Sequence, residues 1–361
     1  MAENGHYPLA EGRYHPATVL PGGEVNLLVD GALFSLLVVI VLAVVFDYIN
    51  GFHDTANAIA TSVATRALHP RHAILMATFF NFVGAFAGTA VAKTIGAGLV
   101  DETTTTQAVV AAALIGAITW NLITWWFGLP SSSSHALIGG LLGATIVAAG
   151  FGALKLDGIY NKVLIPMISS PLIGFVGAFL LMLAIYWIFR NAKRKPMARA
   201  FRRLQVISAG FMAFSHGSND AQKTMGIITL SLFAAGVITS IEVPVWVIVV
   251  SATAISLGTA VGGWRIMHTM GHRVAELEPT HGFAAETTAA TVILTAAHYG
   301  VPVSTTHVIS SAIMGVGSAR GPKGVRWGVA RRILLAWIIT IPASATVAAG
   351  AWFILNAIGF G

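Results

Sequence analysis

Long apolar stretches that carry almost no charge recur along the chain, and this feature most limits what it can fold into. Of the 361 residues, 56% are hydrophobic and 10% are charged, and the mean hydropathy is +0.78. Soluble domains carry about 25% charged residues. Because a helix needs about 20 apolar residues to cross a bilayer, the chain is predicted to be an all-α polytopic membrane protein with about 10–12 membrane elements. The alternating ten-residue segments of a membrane β-barrel do not occur.

Basic residues lie between the apolar stretches and produce the net charge of +7. Segments 66–72, 190–203, 264–273 and 320–332 are basic, and 190–203 holds seven Lys and Arg residues without an acid. Basic loops stay on the cytoplasmic side of a membrane, so this charge orients the chain rather than binding nucleic acid. With all four segments inside, each half crosses the membrane about five times and both termini lie outside.

Two similar polar stretches interrupt apolar runs. Residues 50–57 read Asn-Gly-Phe-His-Asp-Thr-Ala-Asn, and residues 216–223 read His-Gly-Ser-Asn-Asp-Ala-Gln-Lys. A charged side chain at the centre of a membrane helix costs roughly 2.5–3.5 kcal/mol on insertion scales, so its presence indicates a function. The sequence therefore predicts two broken helices that meet near the membrane midplane and bind an ion with their free backbone groups.

Landmarks in the two halves recur at a nearly constant offset. Asp54 pairs with Asp220, His135 with His307, and Pro171 with Pro342, at offsets of 166, 172 and 171 residues. An odd number of crossings per half gives the halves opposite orientations. The predicted fold is therefore an inverted-topology repeat with broken helices, typical of secondary transporters. Its parts are a disordered N-terminal tail at 1–30, repeat 1 at 31–190, a basic cytoplasmic linker at 191–203, and an inverted repeat 2 at 204–361.

Hydroxyl side chains form a cluster between a proline and a histidine in each half. Neutral hydroxyl donors can surround a tetrahedral oxyanion and release it again, although a hydroxyl at a helix start also serves as a cap. Two hydroxyls in the predicted breaks and one lysine extend the set, and the lysine could equally pair with Asp220. The candidate anion ligands are Ser131, Ser132, Ser133, Ser134, Ser304, Thr305, Thr306, Thr55, Ser218 and Lys223.

Acids and amides near the predicted breaks are candidates for a coupling-ion site. Asp54, Asn57, Asn219 and Asp220 offer oxygen ligands that suit Na⁺ and carboxylates that can accept protons. The asparagines could instead cap helices at the breaks. Glu286 lies inside a predicted span and joins this set, because an acid there is costly. No metal-ligand set and no cofactor are predicted beyond the H⁺ or Na⁺ that would drive transport.

These stretches resemble the inorganic phosphate transporter (Pit) family over about residues 34–355. The resemblance is carried by residues 51–58 and 214–223, together with the hydroxyl clusters at 129–135 and 302–307. It implies import of inorganic phosphate by symport with H⁺ or Na⁺ across a bacterial plasma membrane. The residues of both signatures are similar to those of the bacterial low-affinity carriers. This similarity implies proton coupling, or transport of phosphate as a neutral metal–phosphate complex. Animal members carry a glutamate where this chain has Asn81, a departure that weighs against sodium.

Three other functions are compatible with parts of the sequence. A sulfate or related oxyanion carrier would share these motifs, and a channel would share the acid-bearing repeat. An intramembrane serine hydrolase could use Ser134 and His307, but neighbouring Ser and His residues alone do not make a nucleophile and base. The chain is therefore predicted not to be an enzyme. Its expected partners are inorganic phosphate and the lipid bilayer, and a homo-oligomer stays open.

Overall fold

The computed structural model describes residues 27–360, which are mostly helical. Among these residues no β-strand is present, and two isolated β-bridges join Val100 to Leu154 and Ala275 to Val325. The first half contains helices α1 (Leu27–Ala64), α2 (Pro70–Gly84), α3 (Ala90–Ala97), α4 (Gln107–Trp126), α5 (Ser133–Ala149), α6 (Leu156–Ile159) and α7 (Ile165–Ile188). The second half contains α8 (Arg194–Ala234), α9 (Val245–Val261), α10 (Trp264–His268), α11 (Pro279–His298), α12 (Thr305–Ser318) and α13 (Trp327–Ala357).

Short non-α turns connect several of these helices. A 3₁₀ turn precedes α6 and another precedes α13, at Phe151–Ala153 and Pro322–Gly324. A π turn, Tyr160–Leu164, joins α6 to α7. A second π turn, Thr269–Arg273, continues α10. Because π turns place an extra residue in the helix, they commonly mark functional positions.

Several helical stretches within the described residues are long and apolar enough to cross a membrane. Four qualify singly, and a fifth arises if α9 and the segment Trp264–Arg273, bent by 60°, form one span. The single stretches are Gly31–Ala64, Gln107–Trp126, Leu156–Ile188 and Trp327–Ala357. The prediction of a helical, polytopic membrane protein is thus confirmed.

The prediction of helix breaks at the two polar stretches is wrong. Residues 50–57 lie inside the continuous helix α1, and residues 216–223 lie inside the continuous helix α8. A continuous helix satisfies its backbone groups internally, which a membrane interior favours. Asn57 and Asp220, for example, find partners for their side chains on α12.

Real interruptions occur one element later in each half. The first separates α2 from α3 at residues 85–89, and the second separates α9 from α10 at residues 262–263. Gly262 has a φ of +81° there, a conformation that favours glycine. The chain between residues 70 and 97 therefore forms two short helices rather than one.

Local geometry repeats between the halves at the offset predicted from the sequence. Lys155 and Arg326, 171 residues apart, precede α6 and α13 with the same φ and ψ of −83° and 82°. Gly150 and Gly321 both have positive φ, 80° and 103°. The two β-bridges occupy corresponding places. The predicted internal repeat is therefore present at the level of single backbone angles.

Two apolar cores show that the equivalent helices run in opposite directions. One core contains the first part of α1, helices α4 and α5, and the last part of α8. The other contains the last part of α1, helices α11 and α12, and the first buried part of α8. Along the chain α1 passes from the first core to the second, whereas α8 passes from the second to the first. This reversal agrees with the predicted inverted repeat.

The halves are also packed into each other. Helix α1 packs against α9 and α8 packs against α2, while α13 packs on α4 and α5 and α7 packs on α11 and α12. Glycines permit the closest crossings: a Cβ on Gly51 would lie 2.3 Å from the Ile255 carbonyl oxygen, and one on Gly217 would lie 2.2 Å from that of Asn81. Each half therefore completes the packing of the other.

The basic segments gather at one end of the molecule. Thr65 donates to Gln205 Oε1 over 2.7 Å, and Arg320 forms an ion pair of 2.7 Å with Glu278. The Phe201 and Phe283 rings lie 5.5 Å apart between centroids. Loops 98–106 and 150–155 pair at the other end, where Lys155 contacts Glu102. This grouping fits the prediction that the basic segments share one membrane face.

Two predicted boundaries differ from the helix bounds in the structure. Residues 194–203, predicted as part of a linker, are the helical beginning of α8. Helix α1 begins at Leu27, inside the segment 1–30 predicted as a disordered tail, and residues 1–26 of that segment lie outside the described residues.

Candidate functional site

The polar stretches of α1 and α8 lie between the two apolar cores and face the N-terminal ends of α5 and α12. The hydroxyl clusters occupy those ends, since α5 begins at Ser133 and α12 begins at Thr305. All four elements bury their polar side chains here. Elements distant in sequence thus build one enclosed polar site.

The two equivalent aspartates meet in this site, as predicted. One ligand atom each of Asp54, His216 and Asp220 lies within 4.8 Å of the others. The ammonium of Lys223 contacts Asp220 Oδ1, and the Nε2 atom of His216 lies 3.1 Å from Asp220 Oδ2 without hydrogen-bond alignment. Asp220 therefore has a buried lysine partner, whereas Asp54 has no Lys or Arg partner among the described residues and pairs with His53.

On the side of α1, Asp54 is linked to the first hydroxyl cluster. His53 Nδ1 lies 2.6 Å from Asp54 Oδ1, and the Ser133 hydroxyl donates to the same oxygen over 3.3 Å. His53 Nε2 lies 3.1 Å from the Thr124 hydroxyl, to which Ser131 donates over 2.8 Å. This chain of contacts fixes the Asp54 carboxylate toward the start of α5.

On the side of α8, Asp220 is linked to the second hydroxyl cluster in the corresponding way. Thr305, the repeat equivalent of Ser133, donates to Asp220 Oδ2 over 3.1 Å. Lys223 contacts the Ser134 hydroxyl and donates to the Val303 carbonyl over 3.1 Å. The carboxylate of each half thus faces the hydroxyl cluster of its own half.

A second set of contacts crosses between the halves. Asn57 Nδ2 donates to the hydroxyls of Thr306, over 2.9 Å, and Thr305, over 3.2 Å. Lys223, its repeat equivalent, contacts Ser134, the equivalent of Thr306. The contacts of the two halves are therefore related by a pseudo-two-fold symmetry. The symmetry is not exact, because the neutral Asn57 of the first half corresponds to the cationic Lys223 of the second.

Ser132 and Ser304 act as caps of the two helices. Ser132 Oγ accepts from the His135 backbone N–H over 3.1 Å, and Ser304 Oγ accepts from that of His307 over 3.2 Å. Capping by these two leaves Ser133, Ser134, Thr305 and Thr306 as the hydroxyls in the first turns of α5 and α12. Helix N-termini also favour anions through their dipole and free N–H groups.

Three predicted ligands lie beside this centre rather than in it. Thr55 donates to the Gly51 carbonyl one turn back over 2.6 Å. Ser218 lines a cavity next to α8. Asn219 is buried, and neither of its side-chain atoms has a hydrogen-bond partner among the described residues. Their assignment as ligands remains a prediction.

Glu286 lies in a separate polar cluster with Thr61, Gln205 and Ser208. The hydroxyls of Thr61 and Ser208 each donate to a different carboxylate oxygen over 2.5 Å, and Gln205 Nε2 donates over 3.1 Å. Gly282 provides the space, because a Cβ there would lie 1.8 Å from Gln205 Nε2. The predicted coupling-ion residues thus occupy two distinct sites.

Sequence reasoning assigned no role to His53, Thr124 and His216, and it considered Asn81 only as a departure from the family pattern. His53, Thr124 and His216 contact the two aspartates or their partners, and Asn81 lies 3.0 Å from His216 Nδ1 through its Oδ1. Asn81 Nδ2 also donates to the Thr259 hydroxyl over 2.9 Å. Both the oxygen and the nitrogen of its amide therefore have partners. The two histidines could have been found from the sequence, because both lie within the polar stretches. Nothing in the sequence around Thr124 indicated that it belongs to the site.

Ser134 and His307, the pair that a serine hydrolase could use, do not contact each other among the described residues. Ser134 faces Lys223 and the Val303 carbonyl, and the ring nitrogens of His307 have no hydrogen-bond partner among the described residues. The His307 ring stacks on Trp337 at 3.9 Å and meets His135 edge-on at 4.6 Å between centroids. His307 is therefore not placed to act as a base for Ser134.

Residues 50–348 match the phosphate transporter family. The chain belongs to this family. The match covers both polar stretches and both hydroxyl clusters, so the resemblance seen in the sequence is confirmed.

Relatives of this family member extend over nearly its whole length. A probable low-affinity inorganic phosphate transporter of Bacillus subtilis (strain 168) is 50% identical over 332 residues, covering 91% of this chain and 99% of the relative. One of Rhizobium meliloti (strain 1021) is 50% identical over 323 residues, covering 89% and 96%. A solved structure described as the sodium-dependent phosphate transporter is 27% identical, with a TM-score of 0.81, and covers 90% of this chain and 100% of that one. These relatives are named as transporters and not as enzymes.

Proposed function

We propose that this member of the phosphate transporter family imports inorganic phosphate by secondary active transport. The observation that carries this proposal is the meeting of two hydroxyl-bearing helix N-termini, those of α5 and α12, around Lys223 and Asn57. Hydroxyl groups and helix N-termini bind an oxyanion with neutral donors and partial charges rather than with one cation per oxygen. Such a site can release the anion again, as transport requires. Lys223 supplies a point charge on one side.

The aspartates favour phosphate over sulfate as the substrate. Asp54 has no cationic Lys or Arg partner among the described residues and lies close to Asp220. Inorganic phosphate still carries a proton at neutral pH and can donate it in a hydrogen bond to a carboxylate. Sulfate carries no proton, so a neighbouring carboxylate would repel it. A site built to accept this hydrogen bond discriminates strongly against sulfate, because bound sulfate would leave the buried carboxylate oxygens unpaired.

For the coupling ion we propose H⁺, with Glu286 as the carrier. Ser208 can donate to Glu286 Oε2 or turn to the Gln205 carbonyl, 3.1 Å away. Its hydroxyl can therefore serve the ionised carboxylate as a donor and the protonated one as an acceptor. Sodium remains the alternative because the similar solved structure is described as sodium-dependent. A neutral metal–phosphate complex is a second form of cargo, favoured by the proximity of Asp54, His216 and Asp220.

We place the protein in a bacterial plasma membrane with its basic end in the cytoplasm. The positive-inside rule supports this orientation, since the segments 190–203 and 320–332 lie at that end. Both termini are then outside the cell.

Uptake into proteoliposomes tests the proposed substrate. Purified protein in sealed vesicles should accumulate radiolabelled phosphate against its gradient when an inward proton gradient is imposed. Excess sulfate should not compete, because it lacks the O–H group that would donate a hydrogen bond to Asp54. Chelation of divalent cations should leave uptake unchanged if free phosphate is the cargo. Sulfate competition as strong as that of unlabelled phosphate would contradict the proposal.

Ser134 and Ser132 form a matched pair for testing the anion site. Ser134→Ala should lower phosphate affinity by roughly ten- to a hundredfold, because a hydrogen bond to a charged group contributes about 1.5–3 kcal/mol. Ser132→Ala removes a helix cap and should lower the free energy of unfolding by about 0.5–2 kcal/mol with a smaller change in affinity. Equilibrium phosphate binding and thermal unfolding in detergent measure the two effects. Equal affinity losses in both variants would show that neither serine has a specific role.

A further inference from the structure

A third aspartate is buried on α1 and takes no part in the contacts described above. Asp47 lies about two helical turns before Asp54 on the continuous helix α1, and its side chain is fully enclosed. Neither of its carboxyl oxygens has a hydrogen-bond partner among the described residues. Because an unpartnered carboxylate is costly to bury, Asp47 must either bind a cation or carry a proton.

Two polar side chains next to Asp47 also lack partners. Thr224 lies beside the Asp47 carboxyl group from α8, and Asn50 lies beside it from the next turn of α1. The Thr224 hydroxyl and Asn50 Oδ1 are buried and have no hydrogen-bond partner among the described residues. We refer to Asp47, Asn50 and Thr224 as the Asp47 cluster.

A single proton can complete the Asp47 cluster. The O–H of a protonated Asp47 can donate to Asn50 Oδ1, and the Thr224 hydroxyl can donate to the other carboxyl oxygen. A metal ion fits less well, since hard cations such as Ca²⁺ and Mg²⁺ take about six or more oxygen ligands. The cluster offers three side chains, and the backbone carbonyls around them are used within the continuous helices α1 and α8.

The charges around Asp47 also favour its neutral form. The charged groups close to it among the described residues are Asp220 and Lys223, both on α8. Helices α4 and α9, which also pack against α1, contain no ionisable residue. Because Lys223 already contacts Asp220, an ionised Asp47 would place a second negative charge against one ammonium group.

The second half of the repeat shows that packing does not require an acid at this place. At the offset of 166 residues that relates Asp54 to Asp220, Asp47 corresponds to Ala213 and Thr224 corresponds to Ala58. Both alanines are buried in the second apolar core. A pair of small apolar side chains therefore fills the equivalent place, so the acid of the first half needs a reason other than packing.

We propose that the Asp47 cluster binds a proton at neutral pH, and that this proton, distinct from the coupling proton assigned to Glu286, permits phosphate to bind. The effect on phosphate rests on the proposed transport function. A neutral Asp47 leaves Lys223 with one carboxylate partner, so its ammonium can face an anion beside Ser134. An ionised Asp47 competes for Lys223 and repels the anion.

Infrared spectroscopy tests the bound proton without phosphate. Protein whose aspartate carboxyl groups are labelled with ¹³C should show the C=O stretch of a protonated aspartate at neutral pH, shifted from the band of unlabelled protein. The band should disappear in Asp47→Asn and stay in Asp157→Asn, since Asp157 is an exposed aspartate on α6. Absence of the band from the unmodified protein, or its persistence in Asp47→Asn, would overturn the proposal.

Thermal unfolding in detergent distinguishes a neutral Asp47 from an ionised one. Asp47→Asn replaces a neutral acid with an amide of similar shape, so the unfolding midpoint should stay equal or rise. Asp220→Asn removes the carboxylate that Lys223 contacts and should lower the midpoint in the same assay. An equal loss in both variants would show that Asp47 is an ionised partner of Lys223. A stabilisation by NaCl over choline chloride that Asp47→Asn abolishes would assign the site to Na⁺ instead.

Equilibrium binding of phosphate across a pH series tests the effect on the anion. Phosphate affinity of the unmodified protein should fall more steeply with rising pH than that of Asp47→Asn, by up to about tenfold per pH unit, the limit for one linked proton. Glu242→Gln, which changes an exposed acid, should follow the unmodified protein. Equal slopes in Asp47→Asn and the unmodified protein would overturn this effect. If no variant binds phosphate, the proposed function fails, and the infrared and unfolding results still decide the proton site.

Discussion

Replacing Asp220 with asparagine is expected to abolish concentrative phosphate uptake and to lower the free energy of unfolding by about 3–5 kcal/mol. Asp220 is buried and is the carboxylate that Lys223 contacts. Removing one member of a buried ion pair leaves the other charge without compensation in an apolar environment. Thermal unfolding in detergent and uptake into proteoliposomes measure the two effects.

The double variant Asp220→Asn with Lys223→Gln separates folding from transport. Removing both charges should restore much of the lost stability, since no uncompensated charge remains. Transport should stay absent, because the site then lacks both the carboxylate and the cation that faces Ser134. Recovery of uptake together with stability would show that the pair is structural.

Asp54→Asn offers a comparison within the repeat. Its carboxylate contacts His53 and the Ser133 hydroxyl, and an asparagine can keep an acceptor oxygen for that hydroxyl. We therefore expect a smaller loss of stability than for Asp220→Asn, with uptake still abolished.

Glu286→Gln is expected to uncouple transport. Glutamine fits the cluster, since its oxygen can accept from Thr61 and its amide can donate to Ser208, whose hydroxyl can turn to the Gln205 carbonyl. It cannot carry a proton. Accumulation driven by a proton gradient in sodium-free vesicles should fall to background, while exchange of internal for external phosphate should continue.

Glu242→Gln is the control for loss of an acidic charge, because Glu242 is exposed and lies in the segment between α8 and α9. It should accumulate phosphate as the unmodified protein does. Sodium-dependent uptake that ignores the pH gradient would refute proton coupling. Full accumulation by Glu286→Gln would remove Glu286 from the coupling site.

The sequence alone determined the class of the protein and identified the residues at the centre of the candidate site. The long apolar stretches contain almost no charged residues, as expected for helices in a membrane, where a buried charge is costly. Asp54 and Asp220 were singled out by the same cost and by their matched positions in the repeat. The hydroxyl clusters were found because each lies between a proline and a histidine in both halves. These signals are local in sequence, so they needed no coordinates.

The tertiary structure decided how these residues are used. Residues 50–57 and 216–223 stay helical, since a continuous helix satisfies its own backbone groups, and the partners of Asn57 and Asp220 come from α12, far away in sequence. Glu286 belongs to a separate cluster because Gln205 and Ser208 reach it from α8. Arg265 of the second half lies over the Trp125 ring of the first half only because the two halves interlock. Contacts between distant segments depend on three-dimensional packing, which periodicity and composition do not encode.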